Sequence, residues 1–442
     1  MNKKDFRQYM LCGHGRCFSA TDDELQQFKD IVLYGCLNDI SFDLQCEGSR
    51  GLFMYNLALQ YEDYNYFLQP AIEKFLSVEV CDDWHLIKHL CDFIELFVDD
   101  YGDASAKNAI ETKYNQIYGL LMSLRWSVHA NEVSQCYEYM GIVIIENSTI
   151  ERAVKIFEDM GKFFIRRRRA DDDELKGKFL WFWHCTCEKY GEKYLAEKLD
   201  ILSKDNVGIR RFRRVMFREE NYTINRKKLS ADEFIECAEN NSVKRKDIIW
   251  LRRAERSEKM KIAQALVNEN NLDKKAELLK AFTASLSSFP LEPEILTDYA
   301  VSENKNLRKT AVDALLYVKA DCVHDFAVRL LEKGFSLEAV LMLINNYRDS
   351  DKKILLDILD NIEIDYNKSG WHNIILSITN KKNIEGMPEE AVMFVYEKSM
   401  CSCCREDAVL ELIRRNLFTE EIRSECLWDC NSDIRKVSEN NS

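Results

Sequence analysis

Asn306-Leu307-Arg308-Lys309-Thr310-Ala311-Val312-Asp313-Ala314-Leu315 is the stretch on which the reading of the fold turns. Leu307, Ala311, Ala314 and Leu315 recur at the three- and four-residue spacing of a helix and so form one apolar face. The two alanines on that face let a neighbouring helix approach closely. Arg308 falls beside it, where it can reach carboxylates or free carbonyls of the next turn. Segments 305–317, 321–332 and 337–347 share the length and spacing of helix–turn–helix units.

Working outward, the same pattern fills the chain. Thr21-x-x-Glu24 and Ser230-x-x-Glu233 are capping boxes, in which side chain and backbone satisfy each other's free N–H groups at a helix start. Leu25, Phe28, Ile31, Val32 and Cys36 then line one face of a helix near 21–37. Trp84, Ile87, Leu90, Cys91, Ile94 and Phe97 do the same near 82–98. Pro290 and Pro293 break the rhythm, and Pro388 suits the first position of a helix. Four prolines and 15 glycines in 442 residues are too few for the turns of a strand-rich fold. The class is therefore all-α. No stretch approaches the roughly 20 apolar residues that span a bilayer. The polar start, Met1-Asn2-Lys3-Lys4-Asp5, lacks an apolar signal core, so the expected location is the cytoplasm. There the 16 cysteines stay reduced.

The 306–315 stretch resembles the second helix of a HEAT repeat, with its polar turn, aliphatic residue, arginine and two helically spaced alanines. Gly208-Ile-Arg-Arg-Phe212 and Asp433-Ile-Arg-Lys-Val437 are weaker echoes without the alanine pair. The resemblance covers about residues 176–442 and implies an α-solenoid of HEAT-like antiparallel helix pairs. Residues 1–165 share only the helical rhythm. Between them, Arg166-Arg-Arg-Arg169-Ala-Asp171-Asp-Asp-Glu174 reads as a charged loop or hinge over 166–175 and as the expected domain boundary. A charged helix end meeting a helix capped at the aspartates is the alternative.

Charge divides the chain in three. Residues 1–160 hold 13 Lys/Arg against 26 Asp/Glu, 161–260 hold 26 against 18, and 261–442 hold 23 against 31. In the basic middle, Arg210, Arg214 and Arg218 share one helix edge, opposite an apolar face of Ile209, Phe212, Val215 and Met216. Arg252, Arg253 and Arg256 follow, near Trp250. These six arginines are the candidate partner-binding residues. Such stripes grip phosphates or an acidic protein, or simply solvate a helix.

Cys12-Gly-His14-Gly-Arg16-Cys17 is the most unusual local cluster. A glycine loop before a helix can cradle an anion, with Arg16 supplying charge and His14 a proton. It lacks the spacing of a phosphate-binding loop. The alternative is a tight turn tied to nearby carbonyls. Glu47 and Arg50, in Cys46-Glu-Gly-Ser-Arg50, are expected to face it. Cys401, Cys404, Cys426 and Cys430 could supply four thiolates to zinc, but their spacing departs from paired CxxC. They read as metal-free thiols, as do Cys185 and Cys187 after His184. No metal or cofactor is expected.

Taken together, these features favour a non-catalytic scaffold or adaptor that binds a protein partner. A nucleic-acid binder akin to the HEAT-like DNA glycosylases, using the basic middle, is the second reading. An enzyme centred on Gly13–Arg16 is the third.

Overall fold

The computed structural model describes residues 1–80, 83–123, 130–146, 148–167, 172–217, 230–244, 247–248, 251, 254–283, 289–362 and 370–441. Among these residues the regular structure is all helical, with about two dozen α-helices, a few 3-10 turns and no strand. Helices adjacent in sequence are repeatedly adjacent in space. No described helix is long and apolar enough to cross a membrane. Two units form. The first comprises Met1–Thr223, Met400–Cys403 and Glu420–Ser442, and the second Ile224–Ser399 and Cys404–Thr419.

In the first unit, both sides of the charged 166–175 segment belong to the same body. The helix Ile150–Arg166 ends in the arginines and Asp172–Tyr190 begins at the aspartates. Residues 168–171 lie outside the described set. What joins the flanks is a backbone contact. A β-carbon on Gly161 would lie 1.8 Å from the Gly208 carbonyl oxygen, so the helices Ile150–Arg166 and Val207–Met216 touch through glycine. Phe212 packs there on Phe157, with ring centres 4.6 Å apart. Ile209, Phe212, Val215 and Met216 are all buried, as their spacing requires.

The helix Asp172–Tyr190 is broken at Phe179, whose φ is −124° and ψ 15°. Beyond the break the Phe182 amide donates to Glu138 Oε1 at 3.0 Å. A carboxylate from another helix thus fills a gap in the helical ladder, which is the physical cause of the kink. Burial raises Glu138 to about 7 despite this bond.

A second feature of this unit departs from nearest-neighbour stacking. Residues 425–430 pack on the turn after the first helix, Lys3–Cys12. The Cys430 amide donates to the Gly13 carbonyl at 2.9 Å. Trp428 stacks on Phe18 with ring centres 4.8 Å apart.

The second unit contains the helix that anchors the sequence reading. Lys305–Leu315 buries Leu307, Ala311, Ala314 and Leu315 against the helices Leu272–Leu279 and Glu294–Tyr299. Asn304 caps it by accepting the Leu307 amide at 2.9 Å. Arg308 donates to the Ser302 carbonyl at 2.7 Å, in the turn before its own helix rather than the turn after. The helices Asp321–Leu331, Leu337–Asn345, Lys352–Asn361, Gly370–Thr379 and Glu389–Lys398 follow in succession. Pro388 stands at the N-cap of the last.

Candidate functional site

The Gly13–Arg16 loop and the Glu47–Arg50 segment do come together, both within the first unit. Arg50 is 1% exposed. Its Nη1 donates to the Cys12 carbonyl at 3.0 Å and also meets Cys430 Sγ. Its Nη2 donates to Glu47 Oε2 at 2.9 Å and to the Met400 carbonyl at 3.2 Å. Glu47 in turn accepts the Phe42 amide at 3.2 Å and the Ser402 amide. A buried guanidinium with one carboxylate and backbone carbonyls around it is a satisfied charge.

The two glycines serve this packing. Gly13 has φ 65°, and a β-carbon there would lie 1.7 Å from Arg50 Nη1. At Gly15 it would lie 1.8 Å from the Glu425 carbonyl oxygen. Protein atoms therefore stand where a side chain at either position would go. His14 is buried, and its Nδ1 accepts the Arg16 amide at 3.1 Å, which caps the short turn Gly15–Ser19. Arg16 Nε donates to Glu425 at 2.6 Å and its Nη1 to the Tyr9 hydroxyl at 2.9 Å. Burial opposes the Arg16 charge more than any single contact favours it, but the hydrogen bonds and attraction of Glu425 and Tyr9 together outweigh it and hold the guanidinium pKa above its ordinary value.

The basic candidates have mixed fates. Arg210 is exposed, but its guanidinium donates to the Ser203 carbonyl at 2.8 Å and to that of Lys204, the two residues that follow the helix Glu192–Leu202. It therefore ties down the turn at that helix end. Arg213 pairs with Asp200 at 2.9 Å. Arg214 is exposed on the same edge. Arg256 is exposed at the start of the helix Arg256–Asn268, in the second unit. With Lys259, Phe289 and Pro290 it lines a shallow cavity of about 310 Å³. Arg218, Arg252 and Arg253 lie outside the described residues.

The four C-terminal cysteines divide between the units: Cys401, Cys426 and Cys430 belong to the first and Cys404 to the second. Cys426 is buried, and the Cys430 sulfur faces Arg50. Burial pushes the thiols of Cys185 and Cys187 up, the latter to about 11.

Sequence reasoning missed a cleft of about 420 Å³ in the second unit. Its walls are the turns that follow the helices Lys305–Leu315, Leu337–Asn345 and Gly370–Thr379. Each turn brings a cation, respectively Lys319, Arg348 and Lys382. Each of the last two also brings asparagine. Asn383 donates to Asn345 Oδ1 at 2.7 Å and accepts from Lys319 at 3.0 Å. Asn346 accepts the Ala320 amide at 2.8 Å and donates to the Val318 carbonyl at 3.1 Å. Three turns are thereby laced into one rim. At its base His324 lies between two carboxylates, 3.0 Å from Asp351 and 3.0 Å from Asp325. That bond is the main reason the Asp325 carboxyl sits below its usual range. The signal for this cleft was in the sequence, as Asn345-Asn-Tyr-Arg348 and Lys381-Lys-Asn383 at turn positions. Polar turns are so common that the runs did not stand out. Searches against protein-family models, curated proteins and solved structures return no match to this chain.

Proposed function

We propose that this protein is a non-catalytic scaffold that binds a partner protein, and that the helix pairs of its second unit stack in the HEAT-like manner. The observation that carries this reading is the fate of the Gly13–Arg50 cluster. Arg50, Glu47 and His14 are buried and engaged by backbone groups or by one another, and Arg16 is held by Glu425 and Tyr9. The cleft supports it from the other side, since it offers a preformed polar rim on consecutive turns. Nucleic acid gains little. Arg210 is occupied at a helix end, and a chain of net charge −13 repels a polyanion overall.

Crosslinking in the source cells, followed by mass spectrometry, tests the proposal. A defined partner should be recovered with wild-type protein and with a folded His14→Ala variant alike. A turnover that disappears in His14→Ala while the helical signal is unchanged would replace the scaffold reading with an enzyme. Tight duplex binding in a gel shift at about 0.15 M salt would replace it with the nucleic-acid reading.

A further inference from the structure

Hydrogen-bond capacity left over in the second-unit cleft says what it would hold. The side-chain acceptors of the rim are each engaged. Asn345 Oδ1 receives Asn383, Asn383 Oδ1 receives Lys319, and Asn346 Oδ1 receives the Ala320 amide. Asp351 Oδ2 receives His324 and, at 2.8 Å, the Arg348 amide. Asp321 is held by the Arg348 guanidinium at 2.6 Å, which also lies 3.6 Å from Asp325.

The donors are not taken to the same degree. An ammonium has three N–H groups, and that of Lys319 gives one to Asn383. The Lys382 side chain is exposed, and among the described residues its ammonium makes no hydrogen bond or ion pair. A ligand that uses the remaining N–H groups of Lys319 and Lys382 brings acceptors.

The arrangement admits a short extended one. Lys319 of the first turn reaches Asn383 of the third at 3.0 Å, so the three turns lie close together. An extended chain advances about 3.3 Å per residue, so a segment of a few residues touches all three. We infer that, if the scaffold reading holds, this cleft takes an acidic, extended segment of the partner protein. Its carbonyl and carboxylate oxygens lie along Lys319, Arg348 and Lys382.

Fluorescence anisotropy of a short labelled glutamate–glycine peptide, titrated with the full-length protein, tests this. Saturable binding is expected, weakening as salt is added. Charge reversal in Lys382→Glu should weaken it about tenfold. Lys319→Gln should weaken it less, and Lys333→Glu, beyond the far end of the helix Asp321–Leu331, should leave it unchanged. Circular dichroism of each variant confirms that it is folded. No binding at millimolar peptide overturns the inference. So does equal weakening by Lys333→Glu, or equal binding of a lysine–glycine peptide. Displacement by stoichiometric inorganic phosphate would assign the cleft to a free anion instead. If the peptide fails while crosslinking still recovers a partner, only this inference falls. If crosslinking also fails, the scaffold reading falls with it.

Discussion

Arg50 and Glu47 show how a side chain that looks chemical in sequence becomes structural in the fold. Each is 1% exposed, and they pair at 2.9 Å. Removing one member of such a pair strands the other charge out of water. Arg50→Met should therefore cost about 3–5 kcal/mol, and the double variant Arg50→Met/Glu47→Leu should cost less than the single one. Chemical denaturation of the three proteins checks this. The sequence placed His14, Arg16, Glu47 and Arg50 near one another, and Arg50 does meet the Gly13 loop. It could not show what fills that loop, because Met400, Glu425 and Cys430 are hundreds of positions away and no local spacing marks them. Glu95 provides a test of opposite sign. Burial, aided by Glu146, Asp99 and Asp92, raises its carboxyl to about 9. Below its unfolded pKa both states hold the proton. As pH rises above about 4.5, the unfolded chain releases the proton while the folded one retains it, so stability falls through to about pH 9. Glu95→Gln keeps the neutral shape and removes that loss. It should raise the melting temperature little near pH 5 and more near pH 8, where the gain is roughly 2–4 kcal/mol. A gain that is the same at both values would mean Glu95 is not held protonated.

Helices were the legible level. The capping boxes at Thr21 and Ser230 form as read, each with side chain and backbone bonded reciprocally. The buried face of 305–315 consists of the four residues its spacing named. Ala311 is fully buried there, so Ala311→Leu should overpack the contact and cost about 1–3 kcal/mol in a thermal melt. An unchanged melt would show that this helix does not pack tightly. Gly161 tests a contact that periodicity could not reveal, because a glycine is neutral in an apolar pattern. Its missing β-carbon is what lets the Gly208 backbone approach. Gly161→Ala should destabilise the first unit by about 3 kcal/mol, although alanine is the better helix former by about 1 kcal/mol. A stabilised variant would show that the two helices are not in backbone contact. The kink at Phe179 was likewise hidden, since Phe179-Leu-Trp-Phe-Trp183 reads as an uninterrupted apolar run. Glu138, on a distant helix, supplies the acceptor that lets the ladder break.

At the scale of the whole chain, local composition pointed to 166–175 as the place of division, and three-dimensional packing put the flanks of that segment in one body. Charge runs report solvation, whereas a domain boundary depends on which faces are buried against which. The same logic explains why the first unit is assembled from distant parts of the chain. Residues 400–403 and 420–442 bring to it the carbonyls, thiol and carboxylate that Arg50 and Arg16 bind. On the scaffold reading, this cluster ties those segments together. Amide hydrogen exchange, comparing wild type with Arg50→Met at conditions where both remain folded, tests it most directly. Protection should fall together at 12–18, 400–403 and 425–430, with the helix Lys305–Leu315 unaffected. Loss of protection confined to the residues beside position 50 would contradict the claim.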